Sequence, residues 1–287
     1  MGAFNSLAAL NRYFSTHPLT CDAPHRAWLR FASWQIRSRL QSEITFPWIG
    51  DQKLVVRHGM TGATCNIYAG LHEPFDMMVP IHFLRPGDLF LDIGANIGSF
   101  TVLASGVCKA KTFAFEPDPD TASHLRKNID VNNLNDLVTV HQYALGADSG
   151  EIAFTVGQDS VNRIATSSDK NTRTVRIEKL DDVVAGYQPA MMKVDVEGAE
   201  TIVLSGAEHL LANPCLKVVE IETVNAESEN ILTRNGFEKA FYDPFKRLLS
   251  RTSLGNKSSN SLFVRDWPFV EARLTSALAI TVLGRTI

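Results

Sequence analysis

The sequence predicts an α/β protein built on a mostly parallel, doubly wound sheet, and three observations carry that expectation. From Asp88 onward, short apolar strands alternate with helical patterns, which is how a parallel sheet with crossover helices reads. The first of these strands, about 89–93, ends in the turn Gly94-Ala95-Asn96-Ile97-Gly98. The second, about 112–116, ends in an acid, Glu116, followed by Pro117. A glycine turn and a carboxylate at neighbouring strand ends are the means by which such a sheet holds a nucleoside.

In chain order, residues 1–60 read as a helical extension, 61–268 as the sheet domain and 269–287 as a tail with leucines and alanines at helical spacing. Within the extension, Pro24 to Gln41 carries Trp28, Phe31 and Trp34 at three-residue spacing with Arg26, Arg30, Arg37 and Arg39 between them. That pattern predicts an amphipathic helix opened by its proline, packed on the core or roofing the site. Peripheral membrane or partner contact is the alternative use of such a face. The sheet domain continues with a helix from 97, a helix about 119–132 and a strand about 137–142, and later with a strand about 190–195, a helix about 199–212, a strand about 216–222 and a helix through Ile231. Extended pieces near Phe237–Tyr242 and Ser261–Arg265 close it, so that two half-sheets meet at a crevice. Glu151–Val156 and Thr172–Ile177 flank a polar loop, Gln158 to Asn171, and are expected to lie outside the main sheet.

A chain of 287 residues, 45% hydrophobic and 21% charged, buries a full core. The net charge of -3 supplies no bulk basic field, so nucleic acid is not expected as a partner. Cys21, Cys65, Cys108 and Cys215 are scattered, without a Cys-x-x-Cys pair, which fits a reduced cytoplasmic chain. No run approaches the roughly 20 apolar residues of a membrane span, and the start lacks the tripartite secretory pattern. Gly2-Ala3-Phe4-Asn5-Ser6 fits the literal N-myristoylation pattern, which is too short to carry weight. A soluble, cytoplasmic protein is expected, its oligomeric state open.

The glycine turn is informative for what it omits. Gly94-Ala95-Asn96-Ile97-Gly98 is not Gly-x-Gly-x-x-Gly, and no Gly-Lys-Ser/Thr follows, so a pyrophosphate cradle is disfavoured. Glu116 can accept both hydrogen bonds of a ribose diol, and Asp92, near the first strand end, can meet an α-ammonium. S-adenosylmethionine carries the ribose, the ammonium and a sulfonium. The alternatives are structural: the glycines shape a turn, Asp92 caps a helix and Glu116 ends a strand.

These residues and one further run, Met192-Lys193-Val194-Asp195-Val196-Glu197-Gly198-Ala199-Glu200, resemble the FkbM family of S-adenosylmethionine-dependent methyltransferases. Gly70-Leu71-His72-Glu73-Pro74, Leu84-Arg85-Pro86-Gly87-Asp88, Tyr242-Asp243-Pro244 and Asn260-Ser261-Leu262-Phe263 add to the likeness, which covers about residues 60 to 265. The resemblance implies a seven-stranded class I methyltransferase (Rossmann-like) sheet with helices on both faces. It also implies O-methylation of a hydroxyl on a sugar, glycan or related natural product, with S-adenosylhomocysteine as product. Asp92, Gly94, Ala95, Asn96 and Gly98 would hold the methionyl part, Glu116 and Pro117 the ribose, and Tyr143 and Ala144 would border the adenine. Glu73 matches a family position from which it can meet the ammonium.

Methyl transfer is an in-line displacement at an activated carbon, so the protein has chiefly to align the acceptor and take its proton. Asp195 and Glu197 alternate at the fourth strand end, with Lys193 before them on the same face. Asp195 is expected nearest the transferring methyl, with Glu197 or Glu200 orienting or deprotonating the acceptor; alternatively Lys193 pairs with a carboxylate and Glu200 caps the next helix. Glu220 is expected to bind the acceptor or act as base, or to form an ion pair, and shares a strand face with Glu222. Asp195 with Glu222 is a chemically sensible divalent-metal pair, but two acids define no metal site, so no metal ligand is assigned. Asn162, Arg163, Tyr242, Asp243 and Arg247 are weaker candidates for the acceptor pocket. The remaining functional alternatives are an NAD-dependent oxidoreductase and a non-catalytic cofactor-binding interaction protein; the absence of His clusters and of a serine elbow argues against hydrolysis.

Overall fold

The computed structural model describes residues 6–156, 162–166, 168–255 and 258–287. Four residues of the Gly2–Ser6 pattern, and 158–161 and 167 of the polar loop, lie outside them. The chain opens with α1 (Leu7–Thr16), where Ser6 Oγ accepts from the Ala9 amide at 3.1 Å, and α2 (Pro24–Leu40), begun by its proline. A hairpin of β1 (Ile44–Pro47) and β2 (Lys53–Val56) follows, so the extension is helical only in part. Nor does the extension stand apart: Leu10, Phe14, Ala27 and Trp34 share one apolar cluster with Ile97, Val102, Ala114 and Leu125. Next come α3 (Thr61–Ala69) and α4 (Pro74–Phe83).

Strand β3 (Leu89–Ile93) is buried at every position, as a strand covered on both faces must be. Beyond the glycine turn, α5 (Ser99–Thr101) runs straight into a π-helical turn over Val102–Val107, where a regular helix was expected. Then follow β4 (Lys111–Phe115), α6 (Pro119–Val131) capped by Asp118, and β5 (Val138–His141). Strands β6 (Ala144–Gly146), β7 (Gly150–Thr155) and β8 (Thr172–Lys179) form a separate three-stranded sheet, outside the main one as expected. After α7 (Leu180–Val183) and β9 (Pro189–Val194), the single helix expected over 199–212 is split into α8 (Glu200–Ser205) and α9 (Glu208–Ala212). The break falls at Gly206, where a Cβ would lie 1.9 Å from the Gly146 carbonyl oxygen.

Strand β10 (Val218–Ile221), α10 (Ala226–Arg234), β11 (Glu238–Asp243), β12 (Leu248–Ser250), β13 (Ser261–Val264) and α11 (Trp267–Thr275) complete the domain. The tail, expected to be helical, is so only to Thr275; β14 (Thr281–Val282) and β15 (Arg285–Thr286) then pair as a hairpin. Leu283 and Gly284 both take positive φ in its turn, the twist-matched geometry of two-residue hairpins, which a Leu-Gly pair does not advertise.

Among the described residues the main sheet has eight strands in the order β12-β11-β13-β10-β9-β3-β4-β5. The seven expected strands are there, and β12 adds an eighth at the edge by a hairpin with β11. The run from β10 to β5 is parallel and the β13 side antiparallel. Strand order reverses between β3 and β9, which opens the crevice above their carboxyl ends. Alternation sends Phe90, Met191 and Val218 into one apolar layer, and Leu91, Met192 and Val219 into the other.

Candidate active site

The glycine turn lies against β4. The amides of Gly94 and Ala95 both donate to the Phe115 carbonyl, at 3.1 and 2.9 Å, which folds the turn back over the second strand end. Gly94 has φ 79°, and a Cβ there would lie 1.7 Å from the Asp195 carbonyl oxygen, so it is the approach of β9's continuation that demands glycine. Gly98, at φ 90°, turns its missing side chain toward Leu125, 2.4 Å from where a Cβ would stand. Asn96 takes φ 51° and steadies itself by accepting from the Ile97 amide through Oδ1 at 2.7 Å.

Glu116 is fixed by the loop it faces. Its Oε2 accepts from the Asn96 amide at 3.0 Å and its Oε1 from the Asp118 amide at 2.9 Å. Each oxygen keeps a further lone-pair site for a ligand hydroxyl. Burial pushes this carboxyl up to about 7, with neighbouring Asp118 adding to the shift and the two amides opposing it. Pro117, Tyr143 and Ala144 line the cleft beside it, as do Phe154 of the small sheet and Asn162 and Ile164 of the segment between β7 and β8.

Beneath the crevice runs a row of charges that the strand register dictates. Asp92 pairs with Lys193 across β3 and β9, and Lys193 with Glu220 across β9 and β10, all on one face. The three are 1%, 2% and 1% exposed. Lys193 Nζ donates to Asp195 Oδ2 at 2.5 Å and sits 4.4 Å from the centre of the Phe100 ring. Burial opposes its charge, but Asp195, Asp92 and Glu220 outweigh burial and hold the ammonium protonated. Asp92 accepts from Thr101 Oγ1 at 2.5 Å, and Glu220 accepts from Asn260 Nδ2 at 2.9 Å. Burial raises both carboxyls, for Glu220 with Asp76 as a second cause.

Above this row, where the strands end, three carboxylates converge. Asp195, Glu197 and Glu222 each offer an oxygen, all within 4.8 Å of one another. Burial opposes ionisation of Asp195, yet Lys193 keeps it below the ordinary range. Burial and then the charges of Asp195 and Glu197 push Glu222 up to about 8. Glu197 holds φ 54°, a strained backbone for a non-glycine residue and one that recurs at functional sites. Glu200 is not part of this group: its Oε1 accepts from the Gly198 amide at 3.1 Å and the Val196 amide at 3.3 Å, tying down the loop. A single cation would draw on this trio; a proton shared between Asp195 and Glu222 accounts for their closeness equally well.

Of the residues singled out by sequence, Glu73, Gly94, Ala95, Asn96 and Glu116 line the cleft, as do Pro117, Tyr143, Ala144, Asp195 and Glu197. Asp92, Gly98 and Glu220 do not. The two acids sit one step below the rim, where the register locks them against Lys193, and Gly98 faces Leu125. Arg163 is held by Asp169 at 3.0 Å, and Tyr242 is buried on β11 beside His82, at 2.7 Å, away from the lining. Sequence reasoning missed Met60, Ala63 and Asn66, which line the cleft from α3 and its start without any motif, and gave no role to His72, which lines it too although it stands in the run quoted beside Glu73. It saw Glu222 only as a metal partner of Asp195, although sharing a face with Glu220 and standing two residues nearer the strand end put it at the rim.

The family described as Methyltransferase FkbM domain matches residues 92–249. Hexuronic acid methyltransferase AglP of Haloferax volcanii is 33% identical over 137 residues, spanning 47% of this chain and 56% of the relative. The chain thus spans little more than half the length of that protein. Methyltransferase 1 of Beauveria bassiana is 31% identical over 192 residues, 55% of this chain and 76% of the relative. Among solved structures, an FkbM methyltransferase from Methylobacillus flagellatus has a TM-score of 0.42 and 14% identity, covering 85% of this chain and 60% of that one. The family match covers more than half of the chain and runs from Asp92 through the glycine turn, Glu116 and the Asp195–Glu197 segment, and the chain belongs to the FkbM methyltransferase family.

Proposed function

We propose that this protein is an S-adenosylmethionine-dependent O-methyltransferase whose acceptor is a hydroxyl on a sugar, glycan or related natural product. The observation that carries the reading is the charge of the cleft. Glu73, Glu116, Asp195, Glu197 and Glu222 line it, and among the described lining residues the one lysine or arginine is Lys193, already bound to Asp195. Such a cleft suits a cationic cofactor and repels a pyrophosphate, which favours S-adenosylmethionine over a nicotinamide dinucleotide. Glu116, both oxygens oriented by backbone amides, fits a ribose diol; Gly94, Ala95 and Asn96 would neighbour the methionyl part, and Glu73 its ammonium. When bound, the cofactor supplies a methyl group already activated by its sulfonium.

What remains for the chain is alignment and a proton. Asp195, kept ionised by Lys193, and Glu222, sharing its proton with Asp195, stand where an acceptor hydroxyl would need a base. The pair, rather than the buried Glu220, is assigned that role, with Glu197 positioning the acceptor. Three carboxylates also favour a hydroxyl over an acceptor carboxylate, which needs no base and which they would repel. The likeness to a hexuronic acid methyltransferase supports a saccharide as the acceptor class.

Calorimetric titration with S-adenosylhomocysteine and, separately, with NAD tests the cofactor assignment. Saturable binding of the first and none of the second is expected. NAD binding without S-adenosylhomocysteine binding would replace this reading with an oxidoreductase.

A further inference from the structure

Helix α2 buries Ala27, Trp34 and Ser38 and leaves a second apolar row in water. Leu29, Ile36 and Leu40 are 68%, 64% and 79% exposed, and their spacing of seven and four residues puts them on one stripe of the helix. Arg26 and Arg37 flank that stripe on one side and Arg39 on the other, all three exposed. The helix holds four arginines and no acid, in a chain whose net charge is -3. Among the described residues no carboxylate reaches Arg26, Arg37 or Arg39 as an ion pair, and Arg39 bonds instead to Gln35.

We propose that this face of α2 seats the protein on an anionic lipid surface. Apolar side chains in the middle and arginines on both flanks match the boundary between acyl chains and negative headgroups, with the guanidinium groups reaching outward. A second copy of the chain is the competing occupant, and charge decides against it. Two such helices laid stripe to stripe bring arginine rows together with no acid on either helix to answer them. Arg30, on the inner side, ties α2 to α3 by donating from Nε to the Tyr68 carbonyl at 2.8 Å. Since Ala63 and Asn66 of α3 line the cleft, the seated surface would lie one helix away from it. The inference does not depend on the chemistry of the cleft.

Co-sedimentation of the full chain with vesicles of phosphatidylcholine alone, and of phosphatidylcholine mixed with phosphatidylglycerol, tests it. Binding to the mixed vesicles alone is expected, weakening as salt rises. Each of R26Q, R37Q and R39Q is expected to lower the partition about fivefold, and the three together on the order of a hundredfold. The double variant I36E/L40E is expected to stay in the supernatant while melting at the parent temperature by circular dichroism, since both positions are exposed. No binding to the anionic vesicles, or equal binding by the well-folded double variant, overturns the proposal. So does a dimer in analytical ultracentrifugation that I36E/L40E dissociates while vesicles capture nothing, which assigns the stripe to a second copy.

Discussion

Replacing Glu116 by glutamine probes the ribose end of the cleft, and the structure sets the size of the effect. Burial holds this carboxyl at about 7, well above the ordinary glutamate value of 4.5. A ribose diol donates to the ionised form, so affinity should follow the ionised fraction, about nine-tenths at pH 8 and about one-tenth at pH 6. The unaltered protein should therefore bind S-adenosylhomocysteine about tenfold more weakly at pH 6 than at pH 8. The E116Q variant keeps one acceptor oxygen and loses the charge, which costs about 10- to 100-fold in affinity at pH 8, the worth of one charge-assisted hydrogen bond. The same change should flatten the pH dependence between about 6 and 8, because the titrating group is gone. Calorimetry at the two pH values, on parent and variant, reads all of this. Full affinity in E116Q, or a parent whose affinity does not change over that interval, would refute the assignment of Glu116 to the ribose.

The remaining predictions concern the loop, the charge row and the base. Gly94→Ala forces a Cβ to 1.7 Å from the Asp195 carbonyl at φ 79°, and should destabilise the fold by about 2–6 kcal/mol in urea denaturation; an unchanged midpoint would show that the two strand ends are not in contact. Lys193→Met strips the buried row of its cation, leaving Asp92, Glu220 and Asp195 unanswered, and should cost about 3–5 kcal/mol near neutral pH by the same measurement. With Glu222 held at about 8, methyl transfer by the parent should rise with pH through that value as the Asp195–Glu222 pair loses its shared proton. Glu222→Gln should remove that limb and lower kcat by about 100-fold or more, and a retained limb would move the base elsewhere. Finally, Asp76 at about 6 and Glu116 at about 7 are raised by burial, so the folded state binds their protons more tightly than the unfolded chain. Their share of the stability is full below the ordinary carboxylate range and lost as pH rises through 6 to 7, while His17 and His82, lowered by burial to about 4, act in the opposite sense below about 6.5. Asp76→Asn should therefore raise melting at about pH 8 relative to about pH 5 when compared with the parent, and an unchanged difference would contradict the shift assigned to Asp76.

Period and punctuation made the sheet legible: β3, β4, β9 and β10 are apolar runs ending in Gly94, Glu116, Asp195 and Glu222, and each end falls on the crevice. What sequence could not show was depth. Asp92 and Glu220 look as available as Asp195 and Glu222, yet one rung of register separates a buried ion row from an open rim. The reason for Gly94 was hidden in the same way, since it is a carbonyl about a hundred residues away that forbids a side chain there. The wall from α3 escaped notice because Ala63 and Asn66 acquire meaning only once the fold brings that helix to the cleft. Local signals also misled at the tail, where helical spacing ends at Thr275 and a Leu-Gly turn makes a hairpin.

The central claim is methyl transfer to a hydroxyl by a carboxylate-assisted route. Its most direct measurement is incubation of the protein with methyl-labelled S-adenosylmethionine and a uronic-acid-bearing oligosaccharide, followed by mild alkali and mass spectrometry. A methyl ether that survives the alkali, lost in E222Q, is the predicted product. Label released by alkali would reveal a methyl ester made without a base, and contradict the account.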